Sequence, residues 1–307
     1  MKLLQELNRE VRLDGLEVDW REWEVGALDF SPIKERKLEL SHGSTYYLEA
    51  GQGEPVILLH GVGFWRGGDY WLSNISEFSK HFHVYAPDFV GWGNGDRLSV
   101  EYSFAYLVDF VREFQDALGL QSSHVVGHSM GGWVASLVGY ESPHRVSSLV
   151  LVGAGGLATR TLSVMTAFKP PTYEDILRNS RESIFDDKLN VDKLARRWYE
   201  RTQMPGAVEA YQKILDHMNN PVHRARYNLQ RRLPYIKCPT LIVWGSEDKV
   251  NDLSMGEQLQ ALIPGSEMVV LPCGHGCPNE LPDEFNAQVI PFIQKHLNVQ
   301  DKSIPVT

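Results

Sequence analysis

The stretch Val125-Val126-Gly127-His128-Ser129-Met130-Gly131-Gly132 constrains this chain more than any other, because it sets a serine between glycines where an apolar strand turns at once into a helix. So tight a turn strains the serine backbone and leaves no room for side chains at Gly127 and Gly131, while it projects the hydroxyl from the end of a sheet above a helix N-terminus. The pattern Gly-x-Ser-x-Gly also arises by chance in ordinary loops. Its flanks argue for a true elbow: Ser123-His124-Val125-Val126 reads as a short buried strand, and Trp133-Val134-Ala135-Ser136-Leu137-Val138 suits a helix packed on a sheet. Ser129 is therefore the candidate nucleophile.

The rest of the chain supplies the sheet. Short β-branched runs alternate with helical stretches, the pattern of an α/β domain whose mostly parallel sheet is covered on both faces. Eight strands are expected, at Lys37 to Leu40, Thr45 to Glu49, Val56 to Leu59, His83 to Ala86, His124 to Gly127, Leu149 to Val152, Leu241 to Trp244 and Met268 to Leu271. Helices are expected among them at Ser103 to Leu118, Met130 to Tyr140 and Glu280 to Leu297.

About ninety residues separate the sixth and seventh strands, far more than one crossover needs, and they read as charged helices interrupted by Pro170, Pro171, Pro205 and Pro221. The expected organisation is a core of residues 1–157 and 236–307 with an inserted helical cap at 158–235. Such a cap covers the mouth above Ser129, excludes water and shapes a pocket. Residues 1–40, with Trp20 and Trp23, read as a packed N-terminal extension.

Composition narrows the function class. The 307 residues, 43% of them hydrophobic, suffice for one large domain with a cap. A net charge of -9 with no basic cluster argues against a nucleic-acid partner. No apolar run is long enough to span a bilayer, and the start at Met1-Lys2-Leu3-Leu4-Gln5-Glu6 lacks the apolar core of a signal peptide, so a soluble, cytoplasmic protein acting on a small molecule is expected. The oligomeric state is open, a homo-oligomer included. Three cysteines, Cys238, Cys273 and Cys277, cannot form a complete disulfide framework. A zinc site at Cys273-Gly274-His275-Gly276-Cys277 lacks a fourth ligand at a convincing spacing, and no metal or cofactor is expected.

A serine nucleophile needs a base and an acid to orient that base, and on such a sheet both come later, at the ends of later strands. Asp248 follows the strand Leu241 to Trp244 directly, and His275 follows the last strand. Glu247 is the weaker acid, being longer and nearer its strand. His60 is expected to brace a loop, His128 to point away from the serine hydroxyl, and His42, His81, His83 and His124 to be surface or strand residues. Oxyanion donors are expected from the loop His60-Gly61-Val62-Gly63, through the Val62 amide, and from the Met130 amide.

These ordered motifs resemble the α/β-hydrolase superfamily from Tyr46 to Leu297, and Asp88-Phe89-Val90-Gly91-Trp92-Gly93 matches that family's Asp-x-x-Gly-x-Gly turn. A serine nucleophile disfavours the branches that attack through a carboxylate. Within the superfamily the chain looks most like the meta-cleavage product hydrolases, which break a carbon-carbon bond in dienoates made by ring fission of aromatic compounds. The likeness extends to the cap, at Pro171-Thr172-Tyr173-Glu174, at Phe185-Asp186-Asp187-Lys188-Leu189 and at Arg197-Trp198, where that family binds the substrate carboxylate. It includes Val152-Gly153-Ala154-Gly155-Gly156-Leu157 and Asp283-Glu284-Phe285-Asn286.

On a helical projection Val191, Leu194, Ala195 and Trp198 share one face, Arg196 lies opposite, and Arg197 flanks the apolar face. Arg197 is thus suited either to capture of a carboxylate or to a salt bridge between cap and core. The resemblance implies a pocket lined by Gly61, Gly63, His128, Arg197 and Trp198. The chain departs from that family's pattern at His128, where asparagine is usual, at Gly276, where tryptophan is common, and in an oxyanion loop with fewer glycines. Carboxylesterase or lactonase activity on a small apolar ester is the alternative, and a triad-bearing ligand receptor a further one.

Overall fold

The computed structural model describes residues 33–41, 43–158, 168–186 and 189–297. Trp20, Trp23 and most of the expected N-terminal extension lie outside these residues. The eight strands are β1 (Lys34–Leu40), β2 (Gly43–Ala50), β3 (Pro55–Leu59), β4 (His83–Pro87), β5 (Ser123–His128), β6 (Val146–Val152), β7 (Thr240–Gly245) and β8 (Glu267–Leu271). They form one sheet in the order β1-β2-β4-β3-β5-β6-β7-β8. The pairs β1/β2 and β2/β4 are antiparallel and the remainder parallel. All eight expected strands are present, and because β1 begins at Lys34 the sheet claims residues that had been read as extension.

The helices are α1 (Leu72–Phe78), α2 (Phe104–Ala117), α3 (Met130–Glu141), α4 (Tyr173–Ser183), α5 (Val191–Thr202), α6 (Ala207–Asn219), α7 (Pro221–Tyr227), α8 (Leu253–Leu262), α9 (Cys277–Glu280) and α10 (Pro282–Lys295). None of the described helices is long and apolar enough to cross a membrane.

Strand alternation divides the core into two layers. Val125, Leu149, Leu151, Ile242 and Trp244 face the side covered by α2 and α3, where Phe104, Leu107, Val134 and Leu137 meet them. The intervening Val126, Val150, Val152, Leu241 and Val243 face the other side, against Ile75 and Phe78 of α1 and Phe285, Val289 and Ile293 of α10. Ten of the twelve residues of α3 are buried, so the helix behind the elbow is held on all sides.

Chain direction along the sheet reverses between β3 and β5, its neighbour: β4 follows β3 outward on one side, β6 follows β5 on the other. In α/β sheets a crevice opens at the carboxyl ends of such strands. The loops after β3, β5, β6, β7 and β8 all end at that edge. Helices α4 to α7 stand between β6 and β7. A capping box opens α4, where the Thr172 hydroxyl accepts from the Asp175 amide at 3.2 Å and Asp175 accepts from the Thr172 amide at 3.1 Å.

Candidate active site

Ser129 has φ 55° and ψ -113°, and no other non-glycine residue among those described has a positive φ. The strain is held in place by its neighbours. Its amide donates to the Val152 carbonyl at 2.9 Å, and its carbonyl accepts from the amides of Gly155 at 3.0 Å and Trp133 at 3.1 Å. A Cβ on Gly127 would stand 2.4 Å from the Gly131 carbonyl oxygen, and one on Gly131 would stand 2.4 Å from that of Leu59. The glycines are thus required by close backbone approach, with nothing to move aside.

The Asp248 carboxylate is fully buried and satisfied by three donors. One oxygen accepts from the amides of Val250 at 2.8 Å and Asn251 at 2.9 Å, and the other from His275 Nδ1 at 2.7 Å. With Nδ1 donating to a carboxylate, the other ring nitrogen of His275 is the one left to take a proton. The Asn251 side chain donates to the Gly153 carbonyl at 2.8 Å, tying the acid's turn to the end of β6. Glu280 secures the His275 loop from the other side. Its two carboxylate oxygens accept from the amides of Gly274 at 2.6 Å and Gly276 at 2.8 Å, the residues before and after His275.

Ser129 and His275 line one cavity of about 360 Å³, together with Gly61, Val62, Gly63, His128 and Met130. Asn179, Tyr211, Met218 and Arg224, from the segment between β6 and β7, complete its wall. His128 is buried, and its Nε2 donates to the His275 carbonyl at 2.9 Å while its ring stacks on Tyr70 at 4.6 Å. Burial and the nearby His275 hold it well below the ordinary imidazole range, so it is neutral. His60 accepts from the Phe89 amide at 3.0 Å and meets the Gly61 carbonyl at 2.7 Å, bracing the loop after β3 against the Asp88 turn.

Two expected pocket residues are elsewhere. Neither Arg197 nor Trp198 lines the cavity. The Arg197 guanidinium pairs with Glu35 of β1 and, at 3.4 Å, with Asp69, while Trp198 Nε1 donates to Asp69 at 3.1 Å. Arg201 joins them, 2.7 Å from the same carboxylate. Burial alone would raise the Asp69 carboxyl, but Arg201, Arg197 and the Trp198 donor hold it below its ordinary value. The physical reason for the correction is this buried anion: it outcompetes an open cavity for the guanidinium on the flank of α5.

The cavity receives a different cation. Arg66, in the loop after β3, lines it, with its Cζ 5.1 Å from the Tyr70 ring centroid and 5.5 Å from that of Trp198. One Nη2 hydrogen bond reaches Ser183 at 3.2 Å, and no carboxylate is within ion-pairing distance among the described residues. Sequence reading missed Arg66 because a loop arginine carries no periodic signal. Asn251 was visible in principle as the end of a turn capped by Asp248.

Cys273 and Cys277, buried, place their Sγ atoms 2.8 Å apart behind the His275 loop. Among the described residues no group of three or more His, Cys, Asp and Glu side chains is arranged to hold a metal ion.

A strained serine after the central strand, a carboxylate-bound histidine after the last strand and a capped cavity between them define the class. The chain belongs to the alpha/beta hydrolase fold family, whose model matches residues 54–277, and it is a hydrolase. Its relatives narrow the class further. The chain is 31% identical over 268 residues to the 2-hydroxy-6-oxo-6-phenylhexa-2,4-dienoate hydrolase of Burkholderia cepacia, covering 83% of this chain and 92% of that protein. It is 30% identical, with the same coverage, to the 2-hydroxy-6-oxononadienedioate/2-hydroxy-6-oxononatrienedioate hydrolase of Comamonas testosteroni. A solved meta-cleavage product hydrolase from Pseudomonas fluorescens superposes with a TM-score of 0.72 at 30% identity, covering 84% of this chain and 97% of that one.

Proposed function

We propose that this chain hydrolyses a carbon-carbon bond in a ring-fission dienoate, with Ser129 as nucleophile, His275 as base and Asp248 orienting the base. The observation that carries the reading is Arg66, a guanidinium on the wall of the Ser129 cavity with no carboxylate partner among the described residues. Burial lowers its pKa, so the protein bears a desolvation cost that an anionic substrate would offset and a neutral ester would not. The two curated relatives act, by their names, on acids that share the conjugated dienoate end and differ beyond the ketone.

In this mechanism Arg66 holds the dienoate carboxylate while the dienol ketonises, which creates the electron sink needed for carbon to leave. His275 takes the Ser129 proton as the hydroxyl attacks the ketone carbonyl, and the Val62 and Met130 amides stabilise the oxyanion. The carbon-carbon bond then breaks, the electron pair passes to the dienol fragment, and water releases the acyl group from Ser129.

Steady-state rates on 2-hydroxy-6-oxo-6-phenylhexa-2,4-dienoate and on 4-nitrophenyl acetate test this. Ser129→Ala is expected to lower kcat on both by about 10³-fold or more. Arg66→Gln is expected to lower kcat/KM on the dienoate by about 10- to 100-fold with a much smaller effect on the ester. Rapid ester turnover with no dienoate cleavage would assign the chain to the esterases instead.

A further inference from the structure

The cavity wall carries a second buried guanidinium that this mechanism leaves unused. Arg224 of α7 is 6% exposed and lines the cavity. Its Cζ lies 5.9 Å from the Trp133 ring centroid, and Nη1 donates to the Ala158 carbonyl at 3.3 Å. Its Nε is buried without a hydrogen-bond partner among the described residues. Among the described residues no carboxylate is near enough to offset its burial, which lowers its pKa.

The two arginines enter from different walls. Arg66 comes from the loop after β3 and packs on Tyr70 and Trp198; Arg224 comes from the cap and packs on Trp133. Trp133, on which Arg224 packs, joins Met218 and Tyr211 in giving the cavity an apolar lining that accepts methylene or vinyl carbons. A phenyl group would fill such a lining but leave the guanidinium desolvated and unpaired, whereas a chain ending in a carboxylate satisfies both.

We propose that Arg224 is a second anion subsite, so that the substrate is a dienedioate whose acyl portion ends in a carboxylate. This assignment rests on the carbon-carbon hydrolase reading above and names its substrate class. It gives the cavity one cation for each end of a dianion.

The test compares 2-hydroxy-6-oxononadienedioate with 2-hydroxy-6-oxo-6-phenylhexa-2,4-dienoate in wild type, Arg224→Gln and Arg224→Lys, with melting temperatures measured in parallel. Wild type is expected to prefer the dioate, and Arg224→Gln to raise KM for it by about 10- to 100-fold while changing the phenyl substrate by less than about threefold. Arg224→Lys should retain part of the preference. Equal losses on both substrates would make Arg224 structural and overturn the subsite while leaving the carbon-carbon reading intact. Wild type inactive on every dienoate would overturn that reading instead. The subsite is then decided by calorimetric titration with glutarate: binding at least about tenfold weaker in Arg224→Gln supports it, and equal binding overturns it.

Discussion

Arg201 reaches the buried carboxylate of Asp69 at 2.7 Å and so bolts cap helix α5 to the core just beneath the cavity. Because Arg197 and Trp198 converge on the same carboxylate, Asp69→Ala would strand the buried Arg201 guanidinium and leave Arg197 with Glu35 alone. The expected cost is about 3–5 kcal/mol of unfolding free energy, measured by urea titration. Arg197→Ala should lower stability and depress dienoate and ester turnover in equal proportion. A loss confined to the dienoate would return Arg197 to the substrate.

The strain at Ser129 predicts an unusual stability order. At φ 55° a glycine relaxes what a serine or alanine must endure, and such strain costs about 1–3 kcal/mol. Ser129→Gly is therefore expected to melt above Ser129→Ala, with both inactive, in a thermal scan at matched concentration. An alanine variant that melts higher would mean the elbow is not strained.

Glu280 touches no reacting atom in the proposed mechanism, yet it accepts from the amides on both sides of His275. As a positioning residue it should act on kcat more than on KM. Glu280→Ala is expected to lower kcat by about tenfold or more, from the loss of two charge-assisted hydrogen bonds, with Glu280→Gln intermediate because an amide offers one acceptor oxygen. A rise in KM alone would contradict the positioning role.

Acid should unfold the protein through its buried histidines. Burial lowers the pKa of His60, His124, His128 and His217, to about 4 for His124 and His217. The unfolded chain binds protons near 6.5 and the folded chain does not, so the stability they contribute is complete above that pH and is lost as pH falls toward 4. His124 and His217 each remove about 1.4 kcal/mol per pH unit within that window. Urea midpoints at pH 7, 6 and 5 measure it, and a flat profile would show that these rings take up protons in the fold as readily as in the unfolded chain.

The elements that local chemistry dictates were readable from the residues. Strands β3, β5, β6 and β7 declare themselves through apolar runs bounded by turn residues, and β5 with its elbow does so through glycines that only a close backbone approach explains. Asp248 and His275 stood out as candidates because each follows a strand end, where the chain has to leave the sheet at its carboxyl edge, and the fold brings the two side chains to 2.7 Å. The edge strand β1 was placed short at its start, since Lys34, Glu35 and Arg36 carry no alternation of apolar side chains.

By itself the sequence determined the fold class and the strained turn at Ser129, because backbone sterics and strand periodicity act between near neighbours. It also placed Arg197 beside the apolar face of its helix. Which group lies across from that face is a matter of packing between segments more than a hundred residues apart, and only the tertiary structure decided that Asp69 and Glu35 take Arg197 while Arg66 and Arg224 are left to the cavity. A side chain's direction follows from local geometry; its partner follows from where buried charge most needs compensation.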